Sequence, residues 1–177
     1  MTTRAEEDLV ARIRTGDPAS LEELYTRTCD RLFTLLRRLG ADAATAEDLV
    51  HETYLRLWTR RDRLPAVGSP LGYLCAMARH LWLNHRKQRT VVGDLHDRVA
   101  RRGRPAAGAA TIEREEIDRA LATLDEEPRE VFVLHRYGGL SHREIAELQG
   151  ISVKTVEARM KRAFDGLRNC LKERIPS

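Results

Sequence analysis

The chain has 177 residues, 42% hydrophobic and 33% charged, with only 5% aromatic and a formal net charge of +4. That length allows one domain or two small ones, with modest cores under a highly charged surface. Six prolines and few β-branched runs point to an all-α protein, and three cysteines without CxxC spacing imply neither a zinc site nor a disulfide framework.

The N-terminal run Met-Thr-Thr-Arg-Ala-Glu-Glu-Asp lacks the apolar core of a signal peptide. No run approaches the roughly 20 apolar residues of a membrane span. A cytoplasmic location is expected. Charge is segregated along the chain. Residues 1–52 hold 7 basic and 11 acidic side chains, residues 53–104 hold 12 and 3, residues 105–151 hold 5 and 10, and residues 152–177 hold 7 and 3. Two basic blocks suggest two contacts with a polyanion. The acidic blocks call for solvation or a basic protein partner.

Residues 6–15 form a short amphipathic helix through Leu9, Val10 and Ile13. Gly16-Asp17-Pro18 breaks it, and Pro18 can open the next helix. Leu21, Leu24, Tyr25, Leu32, Leu35, Leu36 and Leu39 carry that helix to Gly40. A third helix runs from Ala44 to about Arg60. On it Ala46, Leu49, Val50, Thr53 and Leu57 share a core face, while Asp48, His51, Glu52 and Leu55 share the opposite one. Leu55 is either an ordinary exposed leucine or part of a docking face for a basic partner helix.

A basic loop with Arg60, Arg61 and Arg63 follows, and Ser69-Pro70 starts a fourth helix with Leu71, Leu74, Met77, Ala78, Leu81 and His85 on one side. Arg79, Arg86, Lys87 and Arg89 lie along it, interleaved with Tyr73 and Trp82. Aromatics beside arginines suit single-stranded nucleic acid. Trp82 sits close to the apolar face and reads as core; Tyr73 points away from that face and is the better stacking candidate. The four helices make a compact bundle of about 85 residues.

From about Thr90 to Thr111 the periodicity fails. Arg101-Arg-Gly-Arg-Pro-Ala-Ala-Gly-Ala-Ala110 is small, basic and aperiodic, which reads as a flexible linker. Ile117, Leu121 and Leu124 resume a helix. Asp125-Glu-Glu-Pro128 turns into another, which carries Val131, Phe132 and Leu134 and ends at Gly138-Gly139.

Helix, tight turn and helix then follow. Ser141 is the expected N-cap with Glu144 three residues on, as in a capping box. Gly150 suits the left-handed residue that ends a helix, and Ser152 caps the next. Val156, Met160, Ala163 and Leu167 form one buried stripe, and Lys154, Thr155, Ala158, Lys161 and Arg162 lie opposite with Arg159 on the flank. A helix pair whose second member is apolar inside and basic outside is what the DNA major groove admits. The competing reading is an ordinary helical hairpin with a solvated face.

Taken in order, Ala46-Glu-Asp-Leu-Val-His-Glu-Thr-Tyr-Leu-Arg-Leu-Trp58, Pro70-Leu-Gly-Tyr-Leu-Cys-Ala-Met-Ala-Arg-His80, Arg129-Glu-Val-Phe-Val-Leu134 and Leu140-Ser-His-Arg-Glu-Ile-Ala-Glu-Leu148 resemble the extracytoplasmic-function sigma factors of bacterial RNA polymerase. The likeness covers nearly the whole chain. Residues 150–162 lean toward the branch associated with iron-uptake regulation.

The resemblance implies an all-α fold of two small helical domains joined by a flexible linker: residues 1–90, a linker over 91–115, and residues 116–177 with the helix-turn-helix. It implies that Asp48, His51, Glu52 and Leu55 dock on core RNA polymerase. Arg60, Arg61, Arg63, Tyr73, Arg79, His80, Asn84, Arg86 and Lys87 would capture the single strand of the −10 element. Ser141, His142, Arg143, Lys154, Thr155, Ala158, Arg159, Lys161 and Arg162 would read the −35 element as duplex. Promoter DNA and an anti-sigma factor complete the implied partners, with no cofactor and no small-molecule substrate. His51, His80 and Asn84 replace the family's usual glutamine, asparagine and aspartate, and Tyr73 stands where tryptophan is common. The alternative function is a stand-alone helix-turn-helix regulator acting on an operator without polymerase. It leaves the basic block at 53–104 without a role. No Ser/His/Asp set, metal spacing or Gly-rich phosphate loop points to an enzyme.

Overall fold

The structure is a computed structural model, and it describes residues 4–64, 69–91 and 112–172. Among the described residues the chain forms α1 (Arg4–Arg14), α2 (Pro18–Arg38), α3 (Ala43–Thr59), a 3-10 turn (Arg61–Arg63), α4 (Pro70–Val91), α5 (Ile112–Ala122), α6 (Glu126–Arg136), α7 (His142–Gln149) and α8 (Val153–Lys172), with no strand. The all-α expectation holds.

Local chemistry sets the helix starts. Asp17 caps α2, its carboxylate accepting from the Ala19 N–H at 3.2 Å and the Ser20 hydroxyl at 2.5 Å, with Pro18 in the first turn. Asp42 caps α3 by accepting from the Thr45 N–H at 2.8 Å and its hydroxyl at 2.9 Å. These hydrogen bonds hold both carboxyls below the usual range.

The first domain packs α3 and α4 against α2, with α1 laid across α2 and the 3-10 turn. Leu32, Leu35, Leu36, Ala46, Leu74 and Ala78 have no exposure. Burying a leucine side chain this fully contributes about 1.5–3 kcal/mol. Cys75 lies in this core, where burial pushes its thiol up to about 12. Tyr54 is also buried, and its hydroxyl meets that of Thr28 at 2.6 Å.

In the second domain α6 and α7 pack on α8. Val131, Val133, Leu134, Ile145 and Val156 are fully buried there. The two domains share one continuous core cluster, and α2 packs on α5 and α6. At this junction the Arg38 guanidinium lies 3.8 Å from the centre of the Tyr137 ring and donates to Asp118 at 2.8 Å. Leu140 approaches the spot where a Gly72 side chain would begin.

One boundary differs from expectation. α5 begins at Ile112, inside the stretch read as linker, since Ile112-Glu-Arg-Glu-Glu116 contains no proline or glycine to stop the helix that Ile117 and Leu121 carry. α8 runs 20 residues, with Val156, Met160 and Ala163 on one buried stripe. The rest of the expected linker, and the Pro65–Gly68 part of the basic loop, lie outside the described residues.

Candidate nucleic-acid interface and docking face

Helical geometry alone builds the outer face of α3. Ala46, Leu49, Val50, Thr53 and Leu57 point inward and are buried. A period of 3.6 therefore turns Asp48, His51, Glu52 and Leu55 out together. Leu55 is 64% exposed, the largest value among the described large hydrophobic residues. Glu52 accepts from Arg56 Nε at 2.5 Å. The His51 ring is tied through Nδ1 to the Glu47 carbonyl at 3.0 Å. The four expected docking residues thus form one exposed strip with an apolar centre and an acidic flank.

The helix-turn-helix is built by its caps. The Ser141 backbone N–H donates to the Glu144 carboxylate at 2.7 Å, and the Glu144 N–H donates back to the Ser141 hydroxyl oxygen at 3.2 Å. The Ser141 hydroxyl and N–H together lower the Glu144 pKa. Gly150 ends α7 at φ 67° and ψ 33°, the left-handed region. Ser152 then caps α8 by accepting from the Thr155 N–H at 3.1 Å. This hands α8 to the surface with Val156, Met160 and Ala163 buried and Lys154, Ala158, Lys161 and Arg162 exposed; Thr155 is half-buried.

Arg143 is exposed beside Glu147 at 3.1 Å. The His142 ring packs against His135, centroids 4.9 Å apart. Arg159, expected on the flank of this face, is half-buried. Its side chain is 17% exposed, and it pairs with Glu127 at 2.7 Å and donates to Gln149 at 3.1 Å.

On α4 the expected strand-binding residues divide between two faces. His80, Asn84 and Lys87, spaced i, i+4 and i+7, are exposed together. Arg79 and Arg86, also one i, i+7 pair, face the second domain instead. Arg79 is buried and its Nε donates to Glu130 at 2.5 Å. Arg86 makes a two-pronged pair with Glu126 and lies 5.9 Å over the Trp82 ring. The Glu126 hydrogen bond raises the Arg86 pKa.

Arg60 and Arg63 are exposed in the loop. Arg61 folds back over Trp58, 4.7 Å from the ring centre, and donates to the Trp58 carbonyl at 3.0 Å. Tyr73, expected to point away from the apolar face of its own helix, is half-buried. It lines a small cavity of about 20 Å³ with Val10, Ile13, Leu24, Leu57, Leu64 and others. Its position on α4 does face away from that helix's main stripe, but Val10 and Ile13 of α1 line the same cavity. Trp82 packs partly buried against the core, as expected.

Sequence reasoning did not single out Asp118, Glu126, Glu127, Glu130 or Gln149. They are the groups that hold Arg38, Arg86, Arg159 and Arg79. The signal was the acidic block at 105–151, whose cations are supplied by this same chain. Among the described residues no cluster of His, Cys, Asp and Glu is placed to hold a metal ion, and no helix is long and apolar enough to cross a membrane.

Two family models match the chain. One described as Sigma-70 region 2 covers residues 24–91, and one described as Sigma-70, region 4 covers residues 114–165. Over 171 residues the chain is 29% identical to SigK, an ECF RNA polymerase sigma factor of Mycobacterium ulcerans, with 92% of this chain and 91% of that one covered. Among solved structures, CnrH in complex with the cytosolic domain of CnrY is similar with a TM-score of 0.72 at 25% identity, over 97% of this chain and 99% of that one. The sigma factor RpoE of Bartonella quintana, solved with the anti-sigma factor NepR, shares the fold with a TM-score of 0.70 at 20% identity, over 87% of this chain and 98% of that one.

Proposed function

The chain belongs to the sigma-70 family as an extracytoplasmic-function sigma factor, a transcription initiation factor for bacterial RNA polymerase, and from that premise we propose how its surfaces divide the work. Residues 1–90 dock on core polymerase and take the −10 element. Residues 116–177 take the −35 element. Residues 91–115 join them.

The exposed strip Asp48, His51, Glu52 and Leu55 is the polymerase contact. An apolar residue ringed by acids suits a basic partner helix, since burial of Leu55 supplies affinity and the carboxylates set orientation. On α8, Lys154, Ala158, Lys161 and Arg162 face duplex DNA. The short Ala158 lets the helix approach base edges, and the cations meet phosphates. Ser141, His142 and Arg143 stand at the N-terminus of α7, where backbone N–H groups and the helix dipole favour phosphate. Thr155 and Arg159 flank this surface. Arg60, Arg61, Arg63, Tyr73, His80, Asn84 and Lys87, with Arg79 and Arg86 once unpaired from α6, engage the −10 strand.

The chain works through binding energy, in the cytosol where polymerase and promoter meet, and makes or breaks no bond. An anti-sigma factor is a further partner, supported by the complexes in which CnrH and RpoE were solved.

The observation that carries this reading is the helix-turn-helix. Both its caps are formed, its reading face is basic, and α7 with the first part of α8 lies within the stretch matched by sigma-70 region 4. The test is size-exclusion co-elution with core RNA polymerase, wild type against Asp48→Arg/Leu55→Arg. Wild type is expected to co-elute and the double variant to run alone with unchanged helicity. Wild type that stays apart from polymerase yet shifts duplex DNA by itself would overturn the reading in favour of a stand-alone regulator.

A further inference from the structure

The 3-10 turn after α3 sorts its side chains by their spacing. Residues three apart eclipse one another in such a turn. Arg60 and Arg63 therefore share one edge, and Arg61 and Leu64 share another. The first pair is exposed, Arg61 is half-buried and Leu64 is buried. Both inward residues meet α1 or its closing turn. Gly16, which ends α1, comes close enough to the Arg61 guanidinium that a Cβ added there would stand 3.4 Å from Nε and 4.0 Å from Cζ. Leu64 lines one cavity with Val10 and Ile13 of α1. The Arg61 guanidinium also lies 4.7 Å from the centre of the Trp58 ring and donates to the Trp58 carbonyl at 3.0 Å.

We propose that α1 and Gly16 brace the strand-binding loop. They hold Arg61 and Leu64, and through them aim Arg60 and Arg63 at the −10 strand. Gly16, Trp58 and Arg61 are positioning residues in this scheme, and Arg61 serves the strand through its two neighbours. The inference deepens the reading that this loop takes the −10 element, and it rests on that reading. It gives a task to α1 and Gly16, which precede the stretch matched by sigma-70 region 2.

The seat for Arg61 is built by local sequence. Gly16 has φ 88°, its N–H donates to the Ile13 carbonyl at 3.0 Å, and the Asp17 N–H donates to the Arg12 carbonyl at 3.1 Å. That is the double closure of a helix on a left-handed glycine. A methyl group at Gly16 would reach Arg61 only at ordinary contact distance. The penalty for alanine is therefore in its backbone, which disfavours the left-handed region. The turn relaxes, and the contact with Arg61 goes with it.

The 3-10 turn needs this support. Its own backbone bonds are the Arg63 N–H to the Arg60 carbonyl at 2.9 Å and the Leu64 N–H to the Arg61 carbonyl at 3.3 Å. Such short turns have poor hydrogen-bond geometry. A guanidinium suits the bracing task because it is planar. It lies on a ring while one of its N–H groups reaches a carbonyl. A lysine ammonium keeps the charge but is a compact, strongly hydrated point. A residue that met phosphate through charge alone would tolerate lysine, and a brace would not.

The test uses the full chain, well below its melting temperature. Fluorescence anisotropy gives affinity for a mixed-sequence single strand of about 15 nucleotides and for a mixed-sequence duplex. Hydrogen exchange read by mass spectrometry follows the amides of residues 60–64. Arg61→Lys and Arg61→Gln are both expected to weaken single-strand binding by about fivefold, to speed exchange in that segment and to leave duplex binding unchanged. Trp58→Phe, which keeps a ring, should lose less than Trp58→Leu. Gly16→Ala should repeat the Arg61→Gln pattern, and Gly16→Ala/Arg61→Gln should bind no more weakly than Arg61→Gln alone, because both act through one contact. Arg61→Lys with wild-type single-strand affinity, or losses that add in the double variant, overturns the proposal. Arg61→Lys leaves the backbone of the α1–α2 turn untouched, so it decides the matter even where Gly16→Ala melts. Arg60→Gln/Arg63→Gln reports on the underlying reading. Unchanged single-strand affinity in that variant removes the −10 assignment of the loop and the brace together. Weakened affinity there, with wild-type affinity in Arg61→Lys, removes the brace alone.

Discussion

Thr28 and Tyr54 meet hydroxyl to hydroxyl at 2.6 Å, and the Thr28 proton is already committed to the Leu24 carbonyl, also at 2.6 Å. Thr28 has one proton to give. Tyr54 must therefore be the donor to Thr28, and burial pushes its pKa up to about 12. The two deletions are then unequal. Tyr54→Phe removes a donor and leaves Thr28 satisfied, which should cost about 1 kcal/mol. Thr28→Val leaves the Tyr54 hydroxyl buried without an acceptor, which should cost about 2–3 kcal/mol. Urea melts of both variants check the order, and equal losses would show that the proton is assigned the wrong way round.

Arg159, expected on the flank of the DNA-reading face, has its guanidinium held by Glu127 and Gln149. Arg159→Ala should then destabilise the second domain by about 1–3 kcal/mol through lost charge-assisted hydrogen bonds. Lys161→Ala and Arg162→Ala, both exposed, should leave melting unchanged. Each should weaken duplex binding and lower the salt slope by about 1. Thermal melts paired with salt titrations of binding separate the two classes. An Arg159→Ala protein with wild-type stability and a strong promoter defect would restore it as a direct DNA contact.

Glu144 gives a pH dependence with a definite sign. The Ser141 hydroxyl and N–H hold its carboxyl below the ordinary value of 4.5 in the folded chain. A depressed folded pKa contributes stability that is fully present above the unfolded value and is lost as pH falls through the folded one. Between pH 7 and about 5 the contribution is constant, and below about 4.5 it declines. Glu144→Gln keeps the shape and removes the charge. Its acid unfolding should be shallower than that of wild type below pH 4.5, with any difference at pH 7 set by the weaker cap alone. Parallel acid titrations followed by circular dichroism decide it, and superimposable curves below pH 4.5 would rule it out.

What was legible in sequence follows a physical line. Patterns that a single helix enforces were readable: the buried Ala46, Leu49, Val50, Thr53 and Leu57 against the exposed Leu55, the Ser141–Glu144 box, and the Ser152 cap. Each depends on residues three to eleven positions apart. What failed depends on elements distant in sequence. The outward angle of Tyr73 on α4 was right, but only the arrival of α1 makes that direction half-buried. Arg79 looked like a free cation because Glu130 lies 51 residues away. Alternating charge blocks show that acids and bases must be reconciled, but they do not say which carboxylate finds which guanidinium. That choice is made by the packing of α6 beside α4.

The turn between α7 and α8 is set by Gly150 at φ 67°, with open space where a side chain would begin. Sterics around the site therefore cost nothing, and a substitution pays only for its own backbone. Alanine in the left-handed region costs roughly 1–2 kcal/mol, whereas asparagine visits it more readily. Gly150→Ala should thus lower the stability of the second domain by about 1 kcal/mol or more, and Gly150→Asn by less. Because α7 and α8 are the two arms of the DNA-reading unit, the alanine variant should also weaken duplex binding beyond its stability loss, as the angle between the arms relaxes. Chemical denaturation and duplex binding measured well below the melting temperature give both numbers. Equal costs for alanine and asparagine would mean that the turn opens to another conformation and that the left-handed residue does not fix the helix pair.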